Sequence, residues 1–497
     1  MTRAQILDIY HAGAEVVIEL VEALWARCEQ LTALTAEQAA TIAELTAQAK
    51  SLNDYLAKDS HNSSKPPSSD GPRKPVRKSL RTASGRRVGG QPGHPGTTLR
   101  LVEKPDAIIS HAVTQCEVCQ RSLKNTPVDA IEKHQVFDLP PLRMIVTEHQ
   151  GEIKTCSRCG TRNTATFPEE AQNLVQYGNR LKAFGVYLNN YQLLPYERAS
   201  ECVTDLFSDS ATAPTVSVAT LHHANQTCYE RLETVEQKIK DRIASAAVVN
   251  FDETALYYNG QRHWLHVAST PELTAYSYHP KRGAEAMDAM NILPRFHGRA
   301  IHDYWKPYFT YSCDHGLCNG HHLRELTFIH EQDQQEWAGQ MKALLLAIKD
   351  TVEQVQLQAE RLDDVTIQKF ERRYRRIIKT GHQENPSPVI TNPMKKRGKP
   401  KQSSAKNLLD RFVKHPKEIL AFMYDFNVPF DNNQGERDIR MMKVKQKISG
   451  CFRSAEGARF FCRIRGYIST ARKQNVNVLD ALQSIFDGKP FIPVPDG

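Results

Sequence analysis

Acidic residues occur at points in the chain where folding could bring carboxylates together around a metal ion. Asp252 and Glu253 follow the apolar run Ala246 to Val249, Asp303 follows the short run RAIH, and Glu436 lies within DNNQGERDIR. Mg²⁺ prefers oxygen ligands, and a pair of divalent ions about 3.5–4 Å apart promotes in-line displacement at phosphorus. Convergence of these acids would therefore indicate phosphoryl-transfer chemistry.

The spacing of the acids leaves alternatives open. A polar residue at a strand end is the simpler explanation of Asp252, and Asp288, Asp314 and Glu325 are formal competitors as metal ligands. Sequence position alone does not decide which acids meet in the fold.

Alternating and apolar patterns predict the elements that would position these acids. Strands are expected in AAVVNFDE, HWLHVAST, LTAYSYHP and RAIHDYW, with a helix near GAEAMDAMNIL. We expect Asp252 to end a central strand, with Glu253 a supporting or solvent-facing neighbour. A mostly helical stretch with a basic, proline-containing loop follows over residues 320–425. The last helix carries Glu436 and begins at an N-cap-like Asp431-Asn432-Asn433.

Two cysteine pairs predict a zinc site. Cys116-Glu-Val-Cys119 and Cys156-Ser-Arg-Cys159 are separated by 36 residues. Each C-x2-C turn presents two thiolates, so the two turns together supply the four ligands of a tetrahedral structural Zn²⁺. We expect strands within VFDLPPLRMIVTEHQGEIKTC to bring the turns together.

The N-terminal segment has a heptad pattern that predicts a coiled coil. Apolar and small residues follow alternating steps of four and three, at Val17, Val21, Leu24, Cys28, Leu31, Thr35, Gln38, Ile42, Leu45, Ala49, Leu52 and Leu56. Self-association through this seam is the favoured interpretation, and a long amphipathic helix packed on its own protein is the alternative.

A basic, Ser/Pro/Gly-rich stretch follows the coiled coil. Lys65 to Arg100 contains nine Lys or Arg and one acid, Asp70. Such a composition does not bury a core, so the segment is expected to be a linker. Either it is a solvated tether or its cations, including Arg73, Lys74, Arg86 and Arg87, follow DNA phosphates.

Two further patterns are weaker. Helical patterns over residues 178–236 are consistent with a helix-turn-helix that enters a major groove, or with a helical packing domain. Cys318, His321 and His322, with Cys313 nearby, suggest a second metal cluster, but their irregular spacing argues against a zinc knuckle.

Composition bounds the class of protein. The 497 residues carry a formal net charge of +9, and residues 1–60 contribute 4 − 9 = −5, so the remainder carries +14. A basic body suggests a polyanionic partner. No secretion signal and no run long enough to span a membrane is evident, so we expect a cytoplasmic protein whose 11 cysteines serve as metal ligands or buried thiols.

Several motifs in order resemble the transposases of the insertion sequence 66 family. They are SSKPPSSDGP and GGQPGHPG in the linker, the two C-x2-C pairs, Asp252-Glu253-Thr254, LCNGHHLREL, DNNQGERDIR and KQKISGCFRSAEGA. The resemblance covers nearly the whole chain. It implies a ribonuclease-H-like catalytic domain with an Asp-Asp-Glu triad that binds Mg²⁺ or Mn²⁺, with two ions present.

Under this resemblance the triad is Asp252, Asp303 and Glu436. The family commonly has Asp-Gly-Tyr at the second position, whereas this chain has Asp303-Tyr304-Trp305. His321 and Arg324 match family positions and are expected to contact DNA or the edge of the active site. Cations near helical spacing after the glutamate are expected to follow a phosphate backbone: Arg437, Arg440, Lys443 and Lys447.

The expected organisation is multidomain. It comprises a coiled-coil helix, a basic linker, a zinc-ribbon-like module, a helical DNA-binding region, and an α/β ribonuclease-H-like core divided by a mostly helical insertion. The corresponding residues are 1–59, 60–105, 106–170, 171–244, 245–320 with 426–497, and 321–425.

The predicted function is metal-dependent cleavage and strand transfer at the ends of the protein's own insertion sequence. Expected partners are terminal inverted repeats, target DNA, further copies of the chain and accessory proteins of the same element, in a prokaryotic cytoplasm at the nucleoid. An inactive or repurposed DNA-binding protein derived from a transposase is the alternative. A zinc-ribbon regulator with a coiled coil would leave residues 246–475 unexplained.

Overall fold

The computed structural model describes residues 1–63, 99–140, 142–207, 215–386 and 402–493. The chain forms two compact units. Unit 1 comprises Met1–Arg77, Tyr177–Pro195 and His222–Gly497, and unit 2 comprises Lys78–Gln176 and Tyr196–Leu221. Residues of the expected helical region 171–244 fall in both units.

Unit 1 begins with two helices, α1 (Arg3–His11) and the 44-residue α2 (Ala14–Ala57). Thr2 begins α1 with a capping box. The predicted heptad seam lies along α2, and apart from Val17 its side chains are exposed. The C-terminal part of α2 contacts the body of unit 1, for example through the ion pair between Lys50 and Asp333 (3.1 Å).

Unit 2 contains a short antiparallel hairpin, β1 (Ile153–Thr155) and β2 (Arg162–Thr164). Strands were expected within VFDLPPLRMIVTEHQGEIKTC, and β1 is the one strand in the described part of that segment. Its apolar side chains, such as Val136 and Ile145, remain exposed because no core covers them there.

Helices link the hairpin to the main sheet. They are α3 (Asn179–Val186), a π-helix (Tyr187–Tyr191), α4 (Tyr196–Leu206), α5 (Val218–Arg231) and α6 (Glu233–Ser245). Buried side chains of α6, Val235, Ile239 and Ile243, recur every four residues and contribute to the core beneath the sheet.

The main sheet of unit 1 has five strands in the order β5-β4-β3-β6-β7. The strands are β3 (Val248–Tyr258), β4 (Gln261–Ser269), β5 (Thr274–His279), β6 (Arg299–His302) and β7 (Asp314–Leu317). The first three pair antiparallel, whereas β6 runs parallel to β3 and β7 parallel to β6. The sequence did not predict β7.

The register of β3 differs on its two sides. Its antiparallel partner β4 pairs with it from Asn250 to Tyr258, but its parallel partner β6 pairs only from Val248 to Asn250. Asp252 was expected to end this strand. It instead lies inside β3. Asp252 lies just beyond Asn250, the last residue of β3 that pairs with β6. The side of β3 that faces β6 is therefore open at Asp252, where a loop that carries a metal ligand can approach it.

Helices cover both faces of the sheet and form a second core. Between β5 and the end of the chain they are α7 (Ala284–Met290), α8 (Asn319–Gln332), α9 (Glu336–Val355), α10 (Asp364–Glu384), α11 (Ser404–Lys414), α12 (Pro416–Ile419), α13 (Ala421–Tyr424), α14 (Asn433–Ser449), α15 (Ala455–Lys473) and α16 (Val478–Phe486). The second core gathers α8 to α13 around the fully buried Trp337. Among the described helices none is long and apolar enough to cross a membrane.

Candidate active site

Two of the predicted acids lie at the open side of β3. Asp252 accepts a hydrogen bond at Oδ1 from the backbone N–H of Glu253 (2.8 Å). Asp303 is the residue directly after β6, and its Oδ1 accepts from the backbone N–H of Trp305 (3.3 Å). Asp252, inside β3 just beyond its pairing with β6, and Asp303, directly after β6, therefore lie within electrostatic reach of each other.

The third acid comes from α14. Glu436 lies in the first turn of this helix, which packs across β3 and β4. Asn432, at the N-cap position, does not cap the helix with its side chain. Its amide accepts from Asn250 Nδ2 (2.8 Å) and donates to the carbonyl of Phe251 (2.8 Å). The side chain of Asn432 therefore fixes the start of α14 to the strand that carries Asp252.

The charges of the acids act on one another. Burial raises the pKa of Asp252 well above its usual range, and the charges of Glu253, Asp303 and Glu436 raise it further. Burial of a carboxylate beside like charges is unfavourable unless a cation compensates it. The structure thus places Asp252, Asp303 and Glu436 in one electrostatic neighbourhood with a surplus of negative charge.

The competing acids are engaged elsewhere. Asp288 accepts a hydrogen bond from the Tyr311 hydroxyl (2.7 Å). Asp314 pairs with Arg299 (3.0 Å), and Glu325 pairs with Arg411 (2.8 Å). None of the three raises the pKa of Asp252, so each has a local structural role.

The side chain of Glu253 does not face solvent. It lies on the face of β3 opposite to that of Asp252. Its side chain is 1% exposed, and its carboxylate pairs with Arg282 and accepts from the Tyr308 hydroxyl (2.7 Å). The Arg282 guanidinium stacks on the ring of Trp305 (4.1 Å to the centroid). Burial raises the pKa of Glu253, while Tyr308 and Arg282 oppose this change. Glu253 thus connects β3 to the segment after Asp303.

The backbone at Tyr304 accounts for an unusual residue next to Asp303. Tyr304 has φ 73°, in the left-handed region that favours glycine. The family resemblance places a glycine at this position. The backbone strain at Tyr304 is offset by contacts of its ring with the Arg411 guanidinium (4.3 Å), Phe309 (5.6 Å) and His415 (5.3 Å). The chain therefore retains a glycine-like turn after Asp303.

His321 and Arg324, both on α8, lie next to Glu436. His321 Nδ1 is 3.9 Å and Arg324 Nη2 is 3.7 Å from Glu436 Oε1. Burial and the Arg324 charge lower the pKa of His321, so its imidazole is neutral. In the described part of the chain, His321 Nδ1 and Arg324 Nε are buried without a hydrogen-bond partner. Both atoms are thus available to a ligand at the Glu436 carboxylate.

Cys318 completes a compact donor set with His321 and Glu436. Their ligand atoms lie within 4.8 Å of one another, the one such trio among the described residues. The carboxylates of the predicted triad stand farther apart. His322, expected as an alternative member of a second cluster, instead hydrogen-bonds Asn319 (3.1 Å) and packs on Phe412. Burial raises the pKa of Cys318 to about 12, which opposes thiolate formation.

The predicted DNA-contacting cations fall into two groups. Those of α14 are exposed on its outer face, opposite the buried Ile439 and Met442, and are Arg437, Arg440, Lys443 and Lys447. Those of the linker lie outside the described residues, and are Arg73, Lys74, Arg86 and Arg87.

The two C-x2-C turns of unit 2 have matching backbone geometry. The N–H of Cys116 donates to the carbonyl of Arg121 and that of Cys156 to the carbonyl of Thr161, each at 2.9 Å. In each turn the residue after the second cysteine has positive φ, Gln120 at 59° and Gly160 at 74°.

These turns favour thiolates. The N–H of Cys119 lowers the pKa of the Cys116 thiol, and the Thr161 hydroxyl lowers that of Cys159. Among the described residues no three of the four sulfur atoms lie within 4.8 Å of one another, so the two turns are not gathered around one point. Each turn can therefore present two thiolate ligands.

Sequence reasoning did not identify Asn250, Asn432 and Arg282 as parts of the site. The signal for Asn432 was its position four residues before Glu436, which we interpreted only as a helix cap. Nothing in the sequence indicated that Arg282 would pair with Glu253, because 28 residues separate them.

Comparisons with known proteins identify the family of the chain. No curated protein sequence matches the chain. Residues 9–100 match a family of unknown function (DUF6444). Residues 175–460, which include Asp252, Asp303 and Glu436, match the family described as Transposase IS66 family. That match spans more than half of the 497 residues, so the chain belongs to the IS66 family of transposases.

Proposed function

We propose that this protein is a metal-dependent Asp-Asp-Glu transposase that cleaves DNA and transfers strands at the ends of its own insertion sequence. The observation that supports the proposal is that the charges of Asp303 and Glu436, which come from two other elements, act on Asp252 at the open side of β3. Family membership supports action on DNA, and the site supplies the groups for the chemistry.

The donor set fits Mg²⁺ or Mn²⁺. Three carboxylates offer hard oxygen ligands, and the mutual repulsion that raises the pKa of Asp252 would be relieved by cations. Asp252, Asp303 and Glu436 would hold the ions, two in number. When bound, such ions activate the attacking hydroxyl and stabilise the leaving 3′ oxygen of a phosphodiester.

Other side chains of the site would position the DNA. Arg324 and the neutral imidazole of His321 have buried nitrogen atoms free to donate beside Glu436. A phosphate oxygen bound near Glu436 would satisfy them. The exposed cations Arg437 and Arg440 of α14 begin next to Glu436 and would contact the backbone leading into the site.

The strand order supports a ribonuclease-H-like core. The antiparallel strands β5, β4 and β3 are followed by β6 and β7, which are added in parallel beyond β3, the central strand of the five. This arrangement puts the first acid on the central strand and the second after its parallel neighbour. Glu436 then arrives from a late helix, separated from Asp303 by 132 residues that include the helices of the second core.

The remaining parts would assemble and orient the complex. The exposed heptad seam of α2 would pair copies of the chain, since joining two DNA ends requires more than one protomer. The paired C-x2-C turns would share one structural Zn²⁺, and unit 2 with the linker would recognise terminal inverted repeats. Target DNA and accessory proteins of the element complete the proposed partners, at the nucleoid in the cytoplasm.

End cleavage tests the proposal. Purified protein is incubated with labelled duplexes that carry the element's terminal repeats and a plasmid target, with Mg²⁺ or with a chelator. The expected products are nicked ends with 3′ hydroxyls and joined target DNA, present only with the metal. Repeat-specific binding without cleavage, even with the element's other proteins added, would favour the inactive or repurposed DNA-binding protein.

A further inference from the structure

Helix α10 carries a row of cations on one exposed face. At 100° per residue, these residues fall within about 120° of the helix circumference. We call them the α10 basic face: Lys369, Arg372, Arg373, Arg376 and Lys379, all exposed. The opposite side of the helix is apolar and packs into the second core through Phe370, Tyr374 and Ile377. The fold thus holds α10 with its cations outward.

The α10 basic face is not neutralised by the protein. None of its five cations makes an ion pair with a carboxylate among the described residues. By contrast, Arg375 on the flank of the same helix pairs with Glu371 (2.7 Å). Like charges three and four residues apart destabilise a helix. The face therefore carries a charge arrangement that an anionic partner would relieve.

We propose that the α10 basic face binds the sugar-phosphate backbone of duplex DNA, at a surface distinct from the acid site. The row from Lys369 to Lys379 extends about 15 Å along the helix axis. A row of this length can contact two to three successive phosphates of one DNA strand, about 6–7 Å apart along the backbone. This inference rests on the proposed function, since it assigns a second contact of the same substrate.

The composition of the face favours DNA over other anionic partners. Three of its five cations are arginines, whose planar guanidinium groups match phosphate oxygens. No apolar side chain lies among the five, so the face lacks the groups that would insert into a lipid surface. A backbone contact of this kind carries no base specificity and would hold DNA beyond the terminal repeat or the target.

The salt dependence of DNA binding tests the inference. Two double variants, R372Q/R373Q and R376Q/K379Q, are compared with wild type by fluorescence anisotropy on a labelled duplex of random sequence, in chelator and from 50 to 200 mM NaCl. Each phosphate contact contributes about 0.9 to the slope of log K against log salt. Each double variant should therefore lose between one and two units of slope and bind about tenfold more weakly. R375Q should match wild type.

Thermal melts show whether each variant is folded, so that a change in slope can be assigned to DNA binding. We expect all variants to fold, because exposed cations can be replaced without unfolding α10. Slopes unchanged in both double variants, with wild type binding DNA, would overturn this inference alone. A wild-type protein that binds no duplex DNA would overturn the proposed function as well. A loss of slope as large in R375Q would also count against the α10 basic face, since it would show a general charge effect.

Discussion

The side-chain amide of Asn250 donates to the amide oxygen of Asn432 at 2.8 Å, and both residues are almost completely buried. Asn432 in turn donates to the carbonyl of Phe251, and its backbone N–H donates to Cys318 Sγ (3.2 Å). One residue, Asn432, thus connects β3 through its side chain and the start of α8 through its backbone to the start of α14. Because Glu436 lies one turn after Asn432, this connection sets the distance between Glu436 and Asp252.

We predict that Asn432→Ala lowers the free energy of unfolding by about 3 kcal/mol, because it leaves the Asn250 amide and the Phe251 carbonyl buried without partners. Asn250→Ala removes one partner and should cost less. End cleavage should fall at least about tenfold in Asn432→Ala while binding of the terminal repeat is retained, since the substitution moves Glu436 and leaves the DNA-binding surfaces in place.

Urea unfolding and single-turnover cleavage measure these effects. The double variant Asn250→Ala/Asn432→Ala should cost less than the sum of the single changes, because it removes both members of a hydrogen-bonded pair. Additive costs would show that the two amides do not depend on each other.

A second prediction concerns the left-handed turn after Asp303. A non-glycine residue with positive φ costs about 1–3 kcal/mol. Tyr304→Gly removes this strain but also the ring contacts, whereas Tyr304→Ala loses the contacts and keeps the strain. We therefore expect the glycine variant to be more stable than the alanine variant by about 1 kcal/mol, in thermal or urea unfolding.

The exposed Lys306, which has no positive φ, provides the matched control. Lys306→Ala should be more stable than Lys306→Gly, because glycine increases the conformational entropy of the unfolded chain. The same order at both positions would mean that the backbone at Tyr304 is not strained.

A third prediction concerns the cysteine turns. Wild-type protein should contain about one zinc ion per chain, and Cys116→Ser and Cys156→Ser should each abolish it, because four thiolates complete one tetrahedral site. Cys202→Ser, in α4 of the same unit, is the control and should keep its zinc. Metal analysis and proteolysis of residues 99–176 with and without chelator provide the measurements. Zinc retained in both turn variants would contradict a shared site.

A fourth prediction follows from His266, a buried histidine of β4. Burial lowers its pKa from 6.5 to about 4, because it disfavours the charged imidazolium. Between these values the unfolded chain binds a proton that the folded chain does not. The contribution of His266 to stability is therefore complete above pH 6.5 and is lost as the pH falls towards 4.

Acidification from pH 7 to 5 should thus cost the wild type about 2 kcal/mol more than the variant His266→Gln, which has no proton to gain. Urea unfolding at both pH values measures the difference. His302 and His322, whose pKa values burial also lowers, remain in both proteins and cancel in the comparison. Equal losses in the two proteins would mean that His266 is not protected from protonation.

Much of the sheet could be predicted from local patterns. The apolar run before Asp252, the alternation in HWLHVAST and the run before Asp303 each correspond to a strand, and the helix carrying Glu436 was expected from its N-cap-like start. These features depend on periodicity and on residues adjacent in sequence, which a single sequence displays.

What the sequence could not display depends on contacts between distant residues. β3 continues past Asp252 because β4 pairs with it as far as Tyr258, whereas the acidic pair Asp252-Glu253 had indicated the end of the strand. The turn at Tyr304 is stabilised by Arg411, more than 100 residues away. Asn432 resembled a cap because Asn is common there, and its true partners lie 181 and 182 residues earlier.

The most direct test of the central claim is a cleavage series across the acids of unit 1. Asp252→Asn, Asp303→Asn and Glu436→Gln are compared with Asp288→Asn and Asp314→Asn on pre-bound terminal-repeat DNA with Mg²⁺. We predict that each of the first three lowers the cleavage rate at least about 100-fold, or about 2.7 kcal/mol of transition-state stabilisation, with DNA binding retained. The two controls should cleave at the wild-type rate. Cleavage that survives Asp252→Asn, or that is lost equally in a control, would contradict the assignment of the metal-binding acids.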